Sequence, residues 1–158
     1  MNEVAAGSGL SPEQTRTLTC VLDQIVPPSA DGRLPGAGQL GLAAAIEQGV
    51  RERPELEPGL LEGLAALDAC ARARSADGFV DVAAAERRAL LDQAAAQAPG
   101  FLLPLVFQTL VAYYAHPEVL EALGHEPRPP YPKGYDVPPT DFSILDPVRE
   151  RDPIYRRP

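Results

Sequence analysis

The chain has 158 residues, 45% of them hydrophobic, which predicts one domain with a core built mainly from Ala and Leu. Its formal net charge is −8, and the acidic excess lies in residues 1–123, which carry 16 acidic and 8 basic side chains, whereas residues 124–158 carry six of each. This distribution argues against binding to nucleic acid or anionic membranes, because both need clustered Lys and Arg.

Segments with helical periodicity follow one another from residue 11 to residue 123. The first begins with Ser11 as N-cap, Pro12 in the first turn and Gln14 completing a capping box, and it stops before Pro27-Pro28. Turn-forming residues separate the later segments. The predicted helices span about 11–26, 39–51, 59–74, 83–97, 101–115 and 117–123. With no strand pattern or internal repeat, the predicted fold is all-α, a compact bundle of five to six helices.

The fifth predicted helix, 101–115, is apolar on nearly every side. Such a helix is normally buried at the centre of a bundle, and we expect that position here. It is too short to cross a bilayer. The first ten residues show neither a signal-peptide pattern nor a twin-arginine pair, so a flexible N-terminus (1–10) and a cytoplasmic location are expected.

The last 35 residues differ sharply from the rest. They hold nine of the 18 prolines, which remove backbone donors and interrupt helices. Spaced large apolar residues distinguish them from an ordinary disordered tail. We therefore predict a helical body (11–124) followed by a long extended Pro-rich arm (125–158), without helix, that lies along a partner. Its expected anchors are Tyr131, Tyr135, Phe142, Ile144, Leu145, Val148, Ile154 and Tyr155.

Candidate chemistry is sparse, and no nucleophile, zinc or Walker motif is present. His116, beside Tyr113 and Tyr114, is interpreted either as an acid/base residue or, preferably, as a structural histidine at a helix end. The run 36–38 resembles part of a phosphate-binding loop, but it lacks a preceding strand and a lysine, so a tight turn is favoured.

The two cysteines, Cys20 and Cys70, lack the spacing of a metal site. Both lie on predicted helices, where a buried reduced thiol is the common case. A disulfide or a functional thiol remains an open alternative. Taken alone, the residues predict a helical binding module with an arm, without catalytic or metal-binding residues.

Two ordered motifs resemble a known family. Ile25-Val26-Pro27-Pro28, then Asp31-Gly32 and Pro35-Gly36-Ala37-Gly38, are similar to the start of the gluconate 2-dehydrogenase subunit 3 family. The later run Thr109-Leu110-Val111-Ala112-Tyr113-Tyr114-Ala115-His116-Pro117 resembles the family's second element, with Ala at 112 where Gly is frequent. The resemblance extends from residue 11 to the end of the chain.

The resemblance implies a small non-catalytic subunit that binds, stabilises and helps to mature a large oxidoreductase of the glucose–methanol–choline type. That partner holds FAD and oxidises sugars or related alcohols, so no cofactor is expected on this chain. Many members carry a twin-arginine export signal. No such signal is seen in this sequence, which predicts a cytoplasmic complex. The expected partner contacts are the arm residues together with Tyr113, Tyr114, His116 and Pro117.

Two other interpretations remain open. The chain could be a small enzyme that uses His116 with a tyrosine, or a free-standing adaptor whose Pro-rich tail recruits proline-binding domains. In a variant of the subunit hypothesis, the arm reaches the partner's active-site mouth, where Tyr131, Tyr135 or Phe142 could touch substrate.

Overall fold

The structure is a computed structural model that describes residues 9–74, 78–129, 131–134 and 136–152. Within these residues it contains helices and no β-strand, which confirms the predicted all-α fold. The described α-helices are α1 (Pro12–Ile25), α2 (Ala43–Glu52), α3 (Glu57–Arg72), α4 (Ala84–Gln97), α5 (Leu102–Tyr114), α6 (Pro117–Ala122) and α7 (Asp146–Arg149). Short 3₁₀ turns cover Pro54–Leu56, Phe79–Asp81 and Phe142–Leu145. The chain divides into two compact units, Met1–Arg128 and Pro129–Pro158.

Local sequence accounts for the helix starts. The Ser11 hydroxyl accepts from the Gln14 N–H at 3.1 Å, and the Gln14 side chain accepts from the Ser11 N–H at 2.8 Å, which confirms the predicted capping box. α2 begins at Ala43, later than the predicted residue 39. The reason is a turn, in which the Gln39 side chain accepts from the Gly36 N–H and Gly41 has a φ of +69°.

The core belongs to the first unit, and its fully buried side chains come from α1 to α6, the loop after α1 and the turns before α4 and α5. The largest are Leu18, Leu22, Ile46, Leu64, Leu67, Phe79, Leu90, Phe101 and Tyr113. None of the described residues from 131 onward is buried. No helix in the described part of the chain is long and apolar enough to cross a membrane.

Two close approaches place the N-terminal end of α5. The ring of Phe101, which is 1% exposed, lies against Gly63 of α3, and a side chain on Gly63 would overlap it. One turn earlier in α3, a Cβ on Gly59 would meet the backbone oxygen of Gly100 at 2.5 Å. Small residues on α3 therefore let the turn before α5 sit directly on the helix.

The expectation that the fifth helix is buried on all sides is wrong. Leu105, Thr109 and Tyr113 are buried on one face of α5, but large apolar residues on the opposite face are exposed. The bundle covers α5 from one side, where it packs on α1, α2 and α3. One set of apolar residues on α5 therefore packs in the core, and the other set lies at the protein surface.

The expectation that the tail contains no helix is also wrong. The 3₁₀ turn Phe142–Leu145 continues into α7. The Asp141 carboxylate accepts from the Ser143 N–H at 2.9 Å and caps this turn. Pro147 lies in the first turn of α7, where a missing N–H costs nothing. Residues 136–141 form neither helix nor strand, and an extended arm over the whole of 125–158 is not confirmed.

The Phe101–Gly63 contact predicts the effect of adding one methyl group. Gly63→Ala should lower the free energy of unfolding by about 1–3 kcal/mol, because the new Cβ forces the buried ring to move. Gly49→Ala in α2 is the matched control, since its Cβ would meet only the ends of two flexible side chains, Gln108 at 3.3 Å and Arg53 at 3.9 Å. It should be neutral or stabilising by up to about 1 kcal/mol. Urea unfolding measures both, and equal effects would contradict the packing described.

Candidate partner-binding surface

The C-terminal end of α5 is tied to the loop after α1. The Tyr113 hydroxyl donates to the Pro35 carbonyl at 2.9 Å, across 78 residues of sequence, and the Tyr113 side chain is 2% exposed. Burial raises the pKa of the Tyr113 phenol, and the neighbouring Tyr114 adds to the rise, so this hydroxyl stays protonated as a donor. The two motif segments noted in the sequence meet at this bond. Tyr113, which was expected to contact a partner, is therefore buried inside the body, where it holds the C-terminal end of α5.

The loop that receives Tyr113 is held by side-chain hydrogen bonds. Asp31 accepts from the Ser29 hydroxyl at 2.6 Å and from the Arg33 N–H at 3.1 Å, and these bonds lower the pKa of its carboxyl group. Asp23 accepts from the Gly38 N–H at 2.8 Å. The backbone donors that a phosphate would need are thus already used, which agrees with a structural turn at 36–38.

Tyr114, His116 and Pro117 lie where α5 passes into α6. The Tyr114 ring meets Tyr113 edge-to-face with centroids 5.3 Å apart, and it is 55% exposed. The His116 N–H donates to the Tyr113 carbonyl at 3.1 Å, and the His116 carbonyl accepts from the Val119 N–H, so its backbone joins the two helices. Pro117 opens α6 and is exposed.

The His116 side chain is half-buried, and its Nδ1 is buried with no hydrogen-bond partner among the described residues. An acid/base pair with Tyr113 is not formed, because the Tyr113 hydroxyl is engaged with the Pro35 carbonyl. A groove of about 520 Å³ between α1, α2 and α3 contains neither this histidine nor a tyrosine. The hydrogen-bonding role expected for a structural histidine at a helix end is therefore not seen at Nδ1, and no acid/base pair with Tyr113 is seen either.

An exposed apolar face on α5 was missed by the sequence reasoning. This α5 outer face consists of Leu103, Phe107, Leu110, Val111 and Tyr114, whose exposures are 78%, 61%, 38%, 55% and 55%. Successive members are 4, 3, 1 and 3 residues apart, so they share a sector about 100° wide on a helix with 3.6 residues per turn. A sector of that width is what a helix normally turns toward a core.

The polar side chains of α5 point away from this face. Gln108 accepts from the Arg53 guanidinium at 2.6 Å, and the buried Thr109 hydroxyl donates to the Leu105 carbonyl at 2.7 Å. The helix carries no charged residue. Apart from the Tyr114 hydroxyl, the α5 outer face therefore offers only apolar side-chain atoms.

The second unit also exposes large apolar side chains. Its described members are Tyr131, Val137, Phe142, Ile144, Leu145 and Val148. A 2.9 Å ion pair between Arg149 and Asp146 lies within α7. The other expected anchors, Tyr135, Ile154 and Tyr155, lie outside the described residues.

Among the described residues, the cysteines and acidic groups form no metal site. Cys20 and Cys70 are free thiols and partly buried, and burial raises the pKa of the Cys20 thiol. In the described ranges, no three His, Cys, Asp or Glu side chains are grouped so as to hold a metal ion.

The buried Tyr113 bond predicts a measurable pH dependence. Tyr113→Phe should lower the free energy of unfolding at neutral pH by about 1 kcal/mol, because the Pro35 carbonyl loses its donor. The raised pKa of Tyr113 means that the folded chain holds this proton more tightly than the unfolded one. The wild-type advantage should therefore shrink as the pH rises above about 10, the usual phenol pKa. Chemical unfolding at pH 7 and pH 10.5 measures both, and a pH-independent difference would contradict the assignment.

Comparison with known proteins identifies one family. The sequence pattern of gluconate 2-dehydrogenase subunit 3 matches residues 12–128, which include all the core helices and both motif segments. No curated protein and no solved structure matches the chain significantly. The family match covers well over half of the sequence. The chain therefore belongs to the gluconate 2-dehydrogenase subunit 3 family.

Proposed function

We propose that this chain is the non-catalytic small subunit of a large FAD-dependent oxidoreductase that acts on sugars or related alcohols, and that it binds, stabilises and helps to mature that subunit. The family match over residues 12–128 carries the proposal, because the family is named for a subunit of a dehydrogenase. In this proposal FAD belongs to the partner, and this chain holds no cofactor.

Exposed apolar side chains support a binding role for the segment 125–158. Each is favoured by about 1.5–3 kcal/mol when fully buried, so exposure in the free chain leaves that free energy available for association. Prolines within the segment reduce the conformational entropy that binding must remove. The proposed contacts comprise Tyr114, His116 and Pro117 on the body, and Tyr131, Tyr135, Phe142, Ile144, Leu145, Val148, Ile154 and Tyr155 beyond it.

The free thiols of Cys20 and Cys70 are compatible with a reducing compartment, where disulfides are rare. We therefore propose that the complex is located in the cytoplasm, which cell fractionation would test. An adaptor role is the alternative, favoured by the exposed Tyr131 beside several prolines.

Affinity capture of the tagged full-length chain from its native cells tests the proposed function. We expect one large chain to co-purify in a fixed ratio. The eluate should show the yellow visible absorption of an oxidised flavin and should release FAD on denaturation. Co-expression with that large chain should raise its soluble yield, because the small subunit covers apolar surface.

A colourless, monomeric product would contradict the subunit proposal. Capture of proline-binding domains without flavin would support the adaptor instead. Turnover by the isolated small chain would support the enzyme interpretation.

Substitutions in the second unit test its part in binding. Phe142→Ala combined with Ile144→Ala should weaken the complex about tenfold or more, since both side chains are exposed and available to a partner. The unfolding midpoint of the free chain should not change, because neither side chain is part of the core. Titration of the purified flavoprotein with each variant measures the affinity.

Glu150→Ala is the matched control, an exposed polar residue in the same segment. It should bind as the wild type does. If the double variant also binds with wild-type affinity, the proposed role of 142–148 fails, while the subunit proposal itself would stand.

A further inference from the structure

We propose that the α5 outer face is a rigid docking surface for an apolar patch, bordered by basic groups, on the large flavoprotein subunit. This inference rests on the proposed function and assigns it a surface that lies outside the segment 125–158. The face comprises Leu103, Phe107, Leu110, Val111 and Tyr114, all exposed.

The character of the face fits a permanent partner. Interfaces that stay closed are more apolar than the surrounding surface and poor in charge at their centre. α5 has no charged residue, and its polar side chains Gln108 and Thr109 are hydrogen-bonded to Arg53 at 2.6 Å and to the Leu105 carbonyl at 2.7 Å. A transient encounter surface would carry polar side chains among the apolar ones.

The face is also preorganised. Phe101 is packed against α3 at one end of the helix, and Tyr113 is bonded to the Pro35 carbonyl at the other end. Binding therefore need not order the backbone that carries Phe107 and Val111. Preorganisation strengthens association by reducing the entropy lost on binding.

The position of the face connects it to the proposed contacts. Tyr114 is its C-terminal member, and the peptide continues from there through His116 and Pro117 into α6. A single partner surface that meets Tyr114 would therefore run onto α5. Leu103, Phe107 and Leu110 extend that contact along the helix.

The negative charge of this chain indicates which kind of partner the α5 outer face would bind. A second copy of this chain would bring a net charge of −8 against −8, and the exposed Glu118 and Glu121 on α6 add negative charge beside the end of α5. Repulsion of like charges disfavours both self-association and an anionic lipid surface. A partner with basic groups around an apolar patch is favoured by the same charges.

Single charges introduced on the face test the inference. Phe107→Glu and Val111→Glu, each in the full-length chain, should weaken binding of the captured flavoprotein about 100-fold or more, because an unpaired carboxylate would be buried. Phe107→Leu should stay within about tenfold of wild type, since it remains apolar. Ala89→Glu on α4 is the control, because it adds the same charge at another exposed helical position and should leave affinity unchanged.

Circular dichroism and the unfolding midpoint show whether each variant is folded, and having two sites protects the test against one unstable variant. Wild-type affinity in folded Phe107→Glu and Val111→Glu would overturn the inference and leave the subunit proposal intact.

Sedimentation of the free chain as a dimer that Phe107→Glu dissociates would assign the face to a second copy. Binding to anionic vesicles that Phe107→Glu abolishes would assign it to lipid. Failure of the wild type to capture any flavoprotein would overturn the proposed function, and this inference with it.

Discussion

The structure depends on how α5 is held at its two ends. Phe101 packs onto Gly63 before the helix begins, and the Tyr113 hydroxyl bonds to the Pro35 carbonyl where the helix ends. These contacts fix the rotation of α5 about its own axis. Since Leu105, Thr109 and Tyr113 must face the core, the residues on the opposite side have to face outward. The exposed apolar face is therefore a consequence of the packing.

Because the bundle covers α5 on one side only, the small body exposes a set of apolar side chains as well as burying one. Its own core uses one face of α5, and the other face is free for a second protein chain. The second unit exposes further apolar side chains, and the body carries the acidic excess. Exposed apolar side chains are what the proposed subunit role would require, because contiguous apolar patches mark interaction sites. The gluconate 2-dehydrogenase subunit 3 family is named for a subunit of an oxidoreductase.

Local rules predicted much of the fold. The capping box at Ser11 and the order of the first six helices are present in the structure, because caps and prolines act within a few residues. The outer face of α5 was missed, since an all-round apolar pattern does not distinguish core from interface. The spacing Leu103, Phe107, Val111, opposite Leu105, Thr109 and Tyr113, was the available signal. α7 was missed because Pro147 was counted as a helix breaker, although a first-turn proline is tolerated.

Hydroxyl-radical footprinting of the free chain and of the flavoprotein complex would test the central claim most directly, because it reports solvent access for individual side chains. The account predicts that Phe107 and Tyr114 react readily in the free chain and become protected in the complex. Phe101 and Tyr113, buried in the body, should react slowly in both states and serve as internal references. Unchanged reactivity of Phe107 and Tyr114 in a complex that contains the flavoprotein would contradict the assignment of α5 as a surface shared between two chains.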